Sequence, residues 1–267
     1  MSLYRREVEN PKLKRNLAVT NCTVLNGATV AFDLDGTLVE SAVDVIGAVN
    51  AVLIDEGVRP LDYARSRPFV SRGARWLLQS GLADAGDPGE RTSVLFERFI
   101  NYYAVHIADE SKPFPDAIAA LKTLRAAGVT LVVCTNKPTA LARRLLCELD
   151  MIELFADVVG IDAVSASKPA AAHLIEAISA VGGEIRRSIM VGDAEADARC
   201  ARAAGVPLVL VSFGYTEIPA VELAPDVLLH GFEDLVGACS KLLHQASPGE
   251  ARGYGGGPCS PAHKLQM

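Results

Sequence analysis

The chain has 267 residues, half of them hydrophobic and 22% charged, enough to bury a sizeable core in one large domain or in a core with a smaller partner, and too apolar for a wholly disordered protein. Its formal net charge of −6 argues against a nucleic-acid-binding surface, which needs a basic patch. It leaves room for a small anionic ligand held by a lysine, a metal ion and backbone N–H groups. Residues 1–20 carry basic side chains but no apolar run after them, so no signal peptide is read. No stretch approaches the ~20 apolar residues of a membrane-spanning helix. The six cysteines form no CxxC pair and no Cys/His cluster of zinc spacing, and are read as small buried hydrophobes. The expectation is a soluble, cytoplasmic protein with neither a nucleic-acid nor a membrane partner.

Residues 1–26 are polar and mixed and read as a loosely held arm. A short apolar run at 29–33, ending in turn chemistry, reads as a buried strand. From 43 to 113 the pattern turns helical, with helices expected over 41–55, 62–79 and 90–107 and no convincing buried strand. Beyond it, strands at 129–135, 157–160, 188–192, 207–211 and 226–229 alternate with helices at 115–127, 138–149, 169–181, 195–204 and 232–243. Pro115, Pro138 and Pro169 suit the first turn of a helix, and Gly128 and Gly205 suit helix ends. Continuous apolar strands separated by helices imply an α/β fold: a Rossmann-like parallel sheet with helices on both faces. The core is expected at 27–42 and 114–246, with 43–113 as an inserted helical cap above the carboxyl ends of the strands, where open α/β sheets place their sites. The tail at 247–267, rich in Gly and Pro, is expected to be flexible.

The strongest chemical signal is Phe32-Asp33-Leu34-Asp35-Gly36-Thr37-Leu38 at the end of the first strand. Two carboxylates two residues apart at a strand terminus repel each other unless a cation relieves them, and Mg²⁺ suits oxygen ligands. An isolated Asp-Gly is ordinarily just a turn. The second signal is Thr135-Asn136-Lys137-Pro138, whose hydroxyl and N–H groups suit an anion but equally suit a helix N-cap. The third is Lys168-Pro169, a point charge for a phosphoryl group or merely a solvated lysine. The fourth is Gly192-Asp193-Ala194-Glu195-Ala196-Asp197, in which Asp193 completes a metal site and Asp197 supports it, or the two acids simply start a helix. In a parallel sheet these strand ends share one edge, so Asp33, Asp35, Thr135, Lys168 and Asp193 are expected to converge.

The order Asp-x-Asp-Gly-Thr, Thr-Asn-Lys, Lys-Pro, Gly-Asp-x-x-x-Asp resembles the haloacid dehalogenase superfamily over roughly residues 27–240, and most closely its phosphoglycolate phosphatases. The resemblance implies Asp33 as nucleophile and Asp35 as general acid/base. It implies Thr135 and Lys168 as phosphoryl ligands, with Asn136 beside them. Asp33, the Asp35 backbone carbonyl and Asp193 would ligate Mg²⁺, and Asp197 would support them. Ser71-Arg72-Gly73 stands where those phosphatases often have Gly-x-Gly, and Gly160-Ile161-Asp162 where Gly-Gly-Asp is common. Ala194 replaces a frequent Ser or Thr, and Ala171 a usual Pro. No catalytic group is lost, while the first two departures touch regions that contact substrate. In the cap, Arg72 or Arg75 would meet a substrate carboxylate, with Arg72 preferred, or both are surface arginines. Trp76 is read as cap core, and His106, His173 and His230 as structural or solvated.

The function implied is hydrolysis of a small phosphorylated metabolite, 2-phosphoglycolate first. The rivals are a β-phosphoglucomutase-like phosphotransferase, a pyrophosphatase and, from another class, a non-catalytic phosphometabolite-binding protein. The second carboxylate, Asp35, disfavours a dehalogenase, which has no alkoxide to protonate. Lys112, at the cap border and the sole lysine of that region, leaves little basis for a Schiff-base phosphonatase.

Overall fold

The computed structural model describes residues 24–87 and 89–246. Most of the expected arm and the whole of the expected tail lie outside the described residues. Six parallel strands form the central sheet: β1 (Thr29–Phe32), β4 (Thr130–Cys134), β5 (Asp157–Val159), β6 (Ser188–Gly192), β7 (Leu208–Val211) and β8 (Val227–Leu229), in the spatial order β5-β4-β1-β6-β7-β8. β1 lies at the centre, with Phe32 level with Val133 of β4 on one side and Val191 of β6 on the other.

These strands read as continuous apolar runs because both faces are covered, and each face is still filled at a period of two. Val30, Phe32, Leu131, Val133, Ile189 and Val191 join one buried cluster. Ala31, Val132, Cys134 and Met190 face a second. Helices α5 (Ala117–Ala126), α6 (Thr139–Glu148) and α9 (Leu235–Ala246) cover the first face, through residues such as Leu121, Leu145 and Leu235. Helices α7 (Ala171–Ala180) and α8 (Glu195–Ala204) pack on each other and cover the second, through Leu174, Ile178, Ala198 and Ala201. Phe32 is fully buried edge-on to Phe155, and a side chain of that size contributes about 2–3 kcal/mol by leaving water.

Between β1 and β4 the chain builds α1 (Ala42–Asp55), α2 (Tyr63–Ser66), a 3₁₀ turn (Arg67–Arg72), α3 (Ala74–Asp84) and α4 (Thr92–Val105). Helices α1, α3 and α4 pack on one another. The single helix expected over 62–79 is instead broken in two. Pro68 opens the 3₁₀ turn, and Gly73, at φ 88, turns the chain into α3. The two linkers to this cap pair as a short antiparallel ladder of β2 (Val39–Glu40) and β3 (Lys112–Pro113), too short to register as a hydrophobic period. Asp44 of α1 clamps the return linker, accepting from the N–H groups of Glu110 and Ser111 and from the Ser111 hydroxyl at 2.6–3.1 Å.

Gly205 ends α8 at φ 67 and Gly128 follows α5 at φ 83, as expected of glycines at helix ends. The prolines sit one or two residues earlier than expected. Helices α5, α6 and α7 begin at Ala117, Thr139 and Ala171, so Pro115, Pro138 and Pro169 precede the first helical residue rather than lying within the first turn. Among the described residues no helix is long and apolar enough to cross a membrane.

Candidate active site

The carboxyl ends of β1, β4 and β6 bring the expected residues to one place. Asp33 directly follows β1, and its N–H donates to the Val191 carbonyl at 2.9 Å, extending the ladder by one residue and fixing the start of the side chain. The next turn is closed by Gly36 N–H on the Val39 carbonyl. Gly36 has φ 85, and a Cβ there would lie 2.5 Å from Asp193 Oδ2 and 2.7 Å from the Tyr215 ring, so only glycine lets these elements approach. Thr37 Oγ1 donates to Asp193 Oδ1 at 2.7 Å, tying the β1 turn to the β6 turn.

Lys168 is buried between two carboxylates, with Nζ 2.9 Å from Asp33 Oδ1 and 2.6 Å from Asp197 Oδ1. Its loop is held from below. The Lys168 N–H donates to His173 Nδ1 at 3.2 Å, and His173 Nε2 donates to the Val159 carbonyl at 3.1 Å, so this buried histidine is satisfied as the neutral ring. Asn136 Nδ2 donates to the Lys168 carbonyl at 3.1 Å, while its buried Oδ1 has no hydrogen-bond partner. Asp197 Oδ2 accepts from the N–H groups of Asp193 and Ala194, both at 3.1 Å. Both Asp197 oxygens are therefore committed to holding other groups. Gly192 admits this carboxylate, since a Cβ there would fall 2.4 Å from its Cγ.

Thr135 and Asn136 do not cap the following helix. Thr135 Oγ1 accepts from Lys137 N–H at 3.2 Å, and α6 starts at Thr139, whose N–H and hydroxyl donate to Asp162 Oδ1 at 2.8 and 2.6 Å. The unusual Gly160-Ile161-Asp162 thus supplies a helix cap from the neighbouring strand end.

Asp33, Asp193 and Asp197 each present a carboxylate oxygen within 4.8 Å of the others. Burial pushes the Asp33 carboxyl up to about 6 against the opposing pull of Lys168. Asp193 is pushed well up by burial and then by Asp197 and Asp33. Counting Asp35, four carboxyl groups stand against the two ammonium groups of Lys168 and Lys137, and mutual repulsion and burial oppose full ionisation of the acids unless a cation joins them. Those carboxyl oxygens are the donor set a divalent cation requires.

Tyr103, Tyr215 and Ser41 lie at the site outside every sequence motif, and Lys137 lies within the Thr135–Pro138 motif, which assigned it no role. Lys137 Nζ donates to both oxygens of Asp35 and to the Tyr103 hydroxyl, each at 2.9 Å. Ser41 Oγ donates to Asp35 Oδ1 at 2.5 Å. Tyr215 follows β7, donates to Glu40 at 2.6 Å and accepts from the N–H groups of Ser41 and Ala42, so it caps the first cap helix. Its phenol is pushed up by burial and by Glu40. The signal that marks Lys137 and Tyr215 is positional: both follow a core strand at the edge where the other groups lie.

A cavity of about 380 Å³ opens over Asp33 and Asp35, walled by the cap through Arg75, Phe99 and Tyr103 and by Thr135 on the core side. Arg72 does not point an unengaged guanidinium into it. Its Nε and Nη2 meet the carboxylate of Glu217 at 2.5 and 2.7 Å, and the group lies over the stacked rings of Trp76 and Phe69. Arg75 has no carboxylate partner among the described residues. It lies over Phe96 and reaches the Ser93 hydroxyl at 3.4 Å.

The haloacid dehalogenase-like hydrolase profile matches residues 28–205. The chain belongs to that family. Among curated relatives it is 49% identical to a phosphoglycolate phosphatase of Caulobacter vibrioides, over 82% of this chain and 93% of the relative. It is 41% identical to a phosphoglycolate phosphatase of Agrobacterium fabrum, over 79% and 92%. Among solved structures it superposes with a TM-score of 0.75 and 25% identity on a predicted phosphoglycolate phosphatase from Haemophilus somnus 129Pt, covering 80% of this chain and 98% of that one. Within the haloacid dehalogenase-like hydrolases the chain thus groups with phosphatases.

Proposed function

We propose that this enzyme is a Mg²⁺-dependent phosphomonoester hydrolase that cleaves 2-phosphoglycolate through an aspartyl-phosphate on Asp33, with 43–113 acting as its cap. The observation that carries the reading is the gathering of Lys168 and Asp193 around Asp33, which with Asp35 opens on one small cavity. A cavity of about 380 Å³ lies at the small end of ligand sites and suits a compact metabolite. The relatives' names point to phosphoglycolate.

Asp33, Asp193 and the Asp35 backbone carbonyl would hold Mg²⁺, with Asp197 keeping Lys168 and the β6 turn in place. The chemistry such a dication supplies is charge neutralisation on the phosphoryl oxygens. Asp33 attacks phosphorus as the ester P–O bond breaks, and that electron pair stays on the departing alkoxide. Asp35 gives the alkoxide its proton. Asp35 then takes a proton from the water that attacks phosphorus, and phosphate leaves Asp33 free. Lys168, Thr135 and the N–H groups after β4 hold the equatorial oxygens.

At the far end of the cavity the substrate carboxylate meets the cap arginines. Arg72 serves there only by exchanging Glu217 for the substrate, whereas Arg75 needs no exchange. The test is Mg²⁺-dependent phosphate release from 2-phosphoglycolate beside p-nitrophenyl phosphate, β-glucose-1-phosphate and pyrophosphate. A kcat/KM on phosphoglycolate well above the other three is expected. Preference for either of the last two, or tight Mg²⁺-dependent binding with no turnover of any ester, would overturn it.

A further inference from the structure

We infer that Lys137 is the residue that positions Asp35, and that Tyr103 of the cap completes this arrangement, so that cap contact sets how well Asp35 delivers its proton. The inference rests on the reading of Asp35 as proton donor.

The geometry is specific. An ammonium group has three protons. Two of those on Lys137 go to the two oxygens of Asp35 and the third to the Tyr103 hydroxyl, all at 2.9 Å. Ser41 Oγ holds Asp35 Oδ1 from the other side at 2.5 Å, so the carboxyl group is gripped by two residues of the core and its linker. Tyr103 comes from α4, in the cap. Its ring stacks on Phe99 with centroids 5.4 Å apart, and the residue is 1% exposed, so its hydroxyl is placed by cap packing rather than by the core. The Lys137 side chain is 5% exposed. Water has little access to its third proton while the cap is seated, and Tyr103 is the partner that takes it.

Burying an ammonium with one proton unpaired is costly. Without the Tyr103 hydroxyl, Lys137 must therefore tilt toward another acceptor, and Asp35 turns with it. A proton donor displaced by a fraction of an ångström loses alignment with the leaving oxygen. By contrast, Lys168 takes both its carboxylate partners from the core, and among the described residues no cap side chain is hydrogen-bonded or ion-paired to it.

Leaving-group dependence tests this. p-Nitrophenolate departs without protonation, whereas the alkoxide of 2-phosphoglycolate needs it, and kcat/KM covers only the steps through departure of the alcohol. Tyr103→Phe keeps the stacked ring and removes only the hydroxyl. The expected result is a fall of about tenfold in kcat/KM on 2-phosphoglycolate, within the range general acid catalysis supplies, and less than about twofold on p-nitrophenyl phosphate. Lys137→Gln, which also removes a positive charge from the site, should lose about tenfold more on 2-phosphoglycolate than on p-nitrophenyl phosphate, and adding Tyr103→Phe to it should cost nothing further, because one residue acts through the other. Equal losses on the two substrates, no loss on either, or additive losses in the double variant would overturn the inference. Asp35→Asn is the control for the reading beneath it. If that variant loses equally on both substrates, Asp35 is not the donor. If it is selective while Tyr103→Phe is not, only the cap coupling fails.

Discussion

The two buried lysines divide the site into two regions that are built differently. Lys168 lies between Asp33 and Asp197, and its loop is fastened by His173 and Asn136, so these partners all belong to the core, two to strand ends and two to the helices beside them. Lys137 lies between Asp35 and Tyr103, half in the core and half in the cap. Charge for binding a phosphoryl group is thus in place on the rigid scaffold before the cap matters. On the inference drawn above, the alignment of Asp35 would wait on the cap. On the proposed function, such a division would keep the electrostatics of the site preorganised in the core and leave substrate choice and proton delivery to the inserted helices.

The largest effect expected is at the nucleophile. Asp33→Asn removes the attacking oxygen and should lower turnover by at least ~10⁴-fold while circular dichroism and Tm stay those of a folded protein. Activity near wild type would remove Asp33 from its role. Lys168→Met should come next, lowering kcat/KM about 10²- to 10³-fold by the same factor on 2-phosphoglycolate and on p-nitrophenyl phosphate. That uniform loss is the counterpart of the selective loss expected at Lys137, and a selective loss at Lys168 would erase the distinction between the two regions.

The cap arginines sharpen the comparison on the substrate side. Arg75→Ala should raise KM for 2-phosphoglycolate about tenfold, the worth of one charge-assisted pair, and leave p-nitrophenyl phosphate nearly unchanged. Arg72→Ala should raise it less, because Glu217 already occupies that guanidinium. A larger effect at Arg72 would mean that substrate displaces Glu217.

The smallest effect is thermal. In the metal-free protein burial holds the Asp33 carboxyl up to about 6, above the usual carboxylate range. A raised value stabilises the fold at low pH and is lost as pH rises through 6, so metal-free Tm should fall over that window. Because Mg²⁺ takes the ionised carboxylates, it should raise Tm by several degrees at about pH 7.5 and by much less near pH 5. An equal rise at both values would place the metal elsewhere.

Much of this was legible in the sequence. All six core strands are short apolar runs that end in turn residues, and the candidate site residues follow three of them, so Asp33, Thr135 and Asp193 could be assigned to one edge. The cap was less legible. The apolar spacing around Leu77 and Leu78 suggests one long helix, and Pro68 and Gly73 overrule it locally. The partners Tyr103 and Lys137 stand 34 positions apart, and Arg72 and Glu217 145 apart. No local period encodes such meetings, because they arise only when the cap folds onto the sheet. The preference for Arg72 over Arg75 failed to anticipate Glu217 for that reason.

The most direct test of the central claim is to quench the enzyme with acid during turnover of 2-phosphoglycolate with Mg²⁺ and to map the phosphorylated peptide by mass spectrometry. Phosphate on Asp33, absent from Asp33→Asn and lost on the timescale of turnover, is the predicted result. Full turnover with no phosphate on Asp33, or phosphate on another residue, would contradict the account.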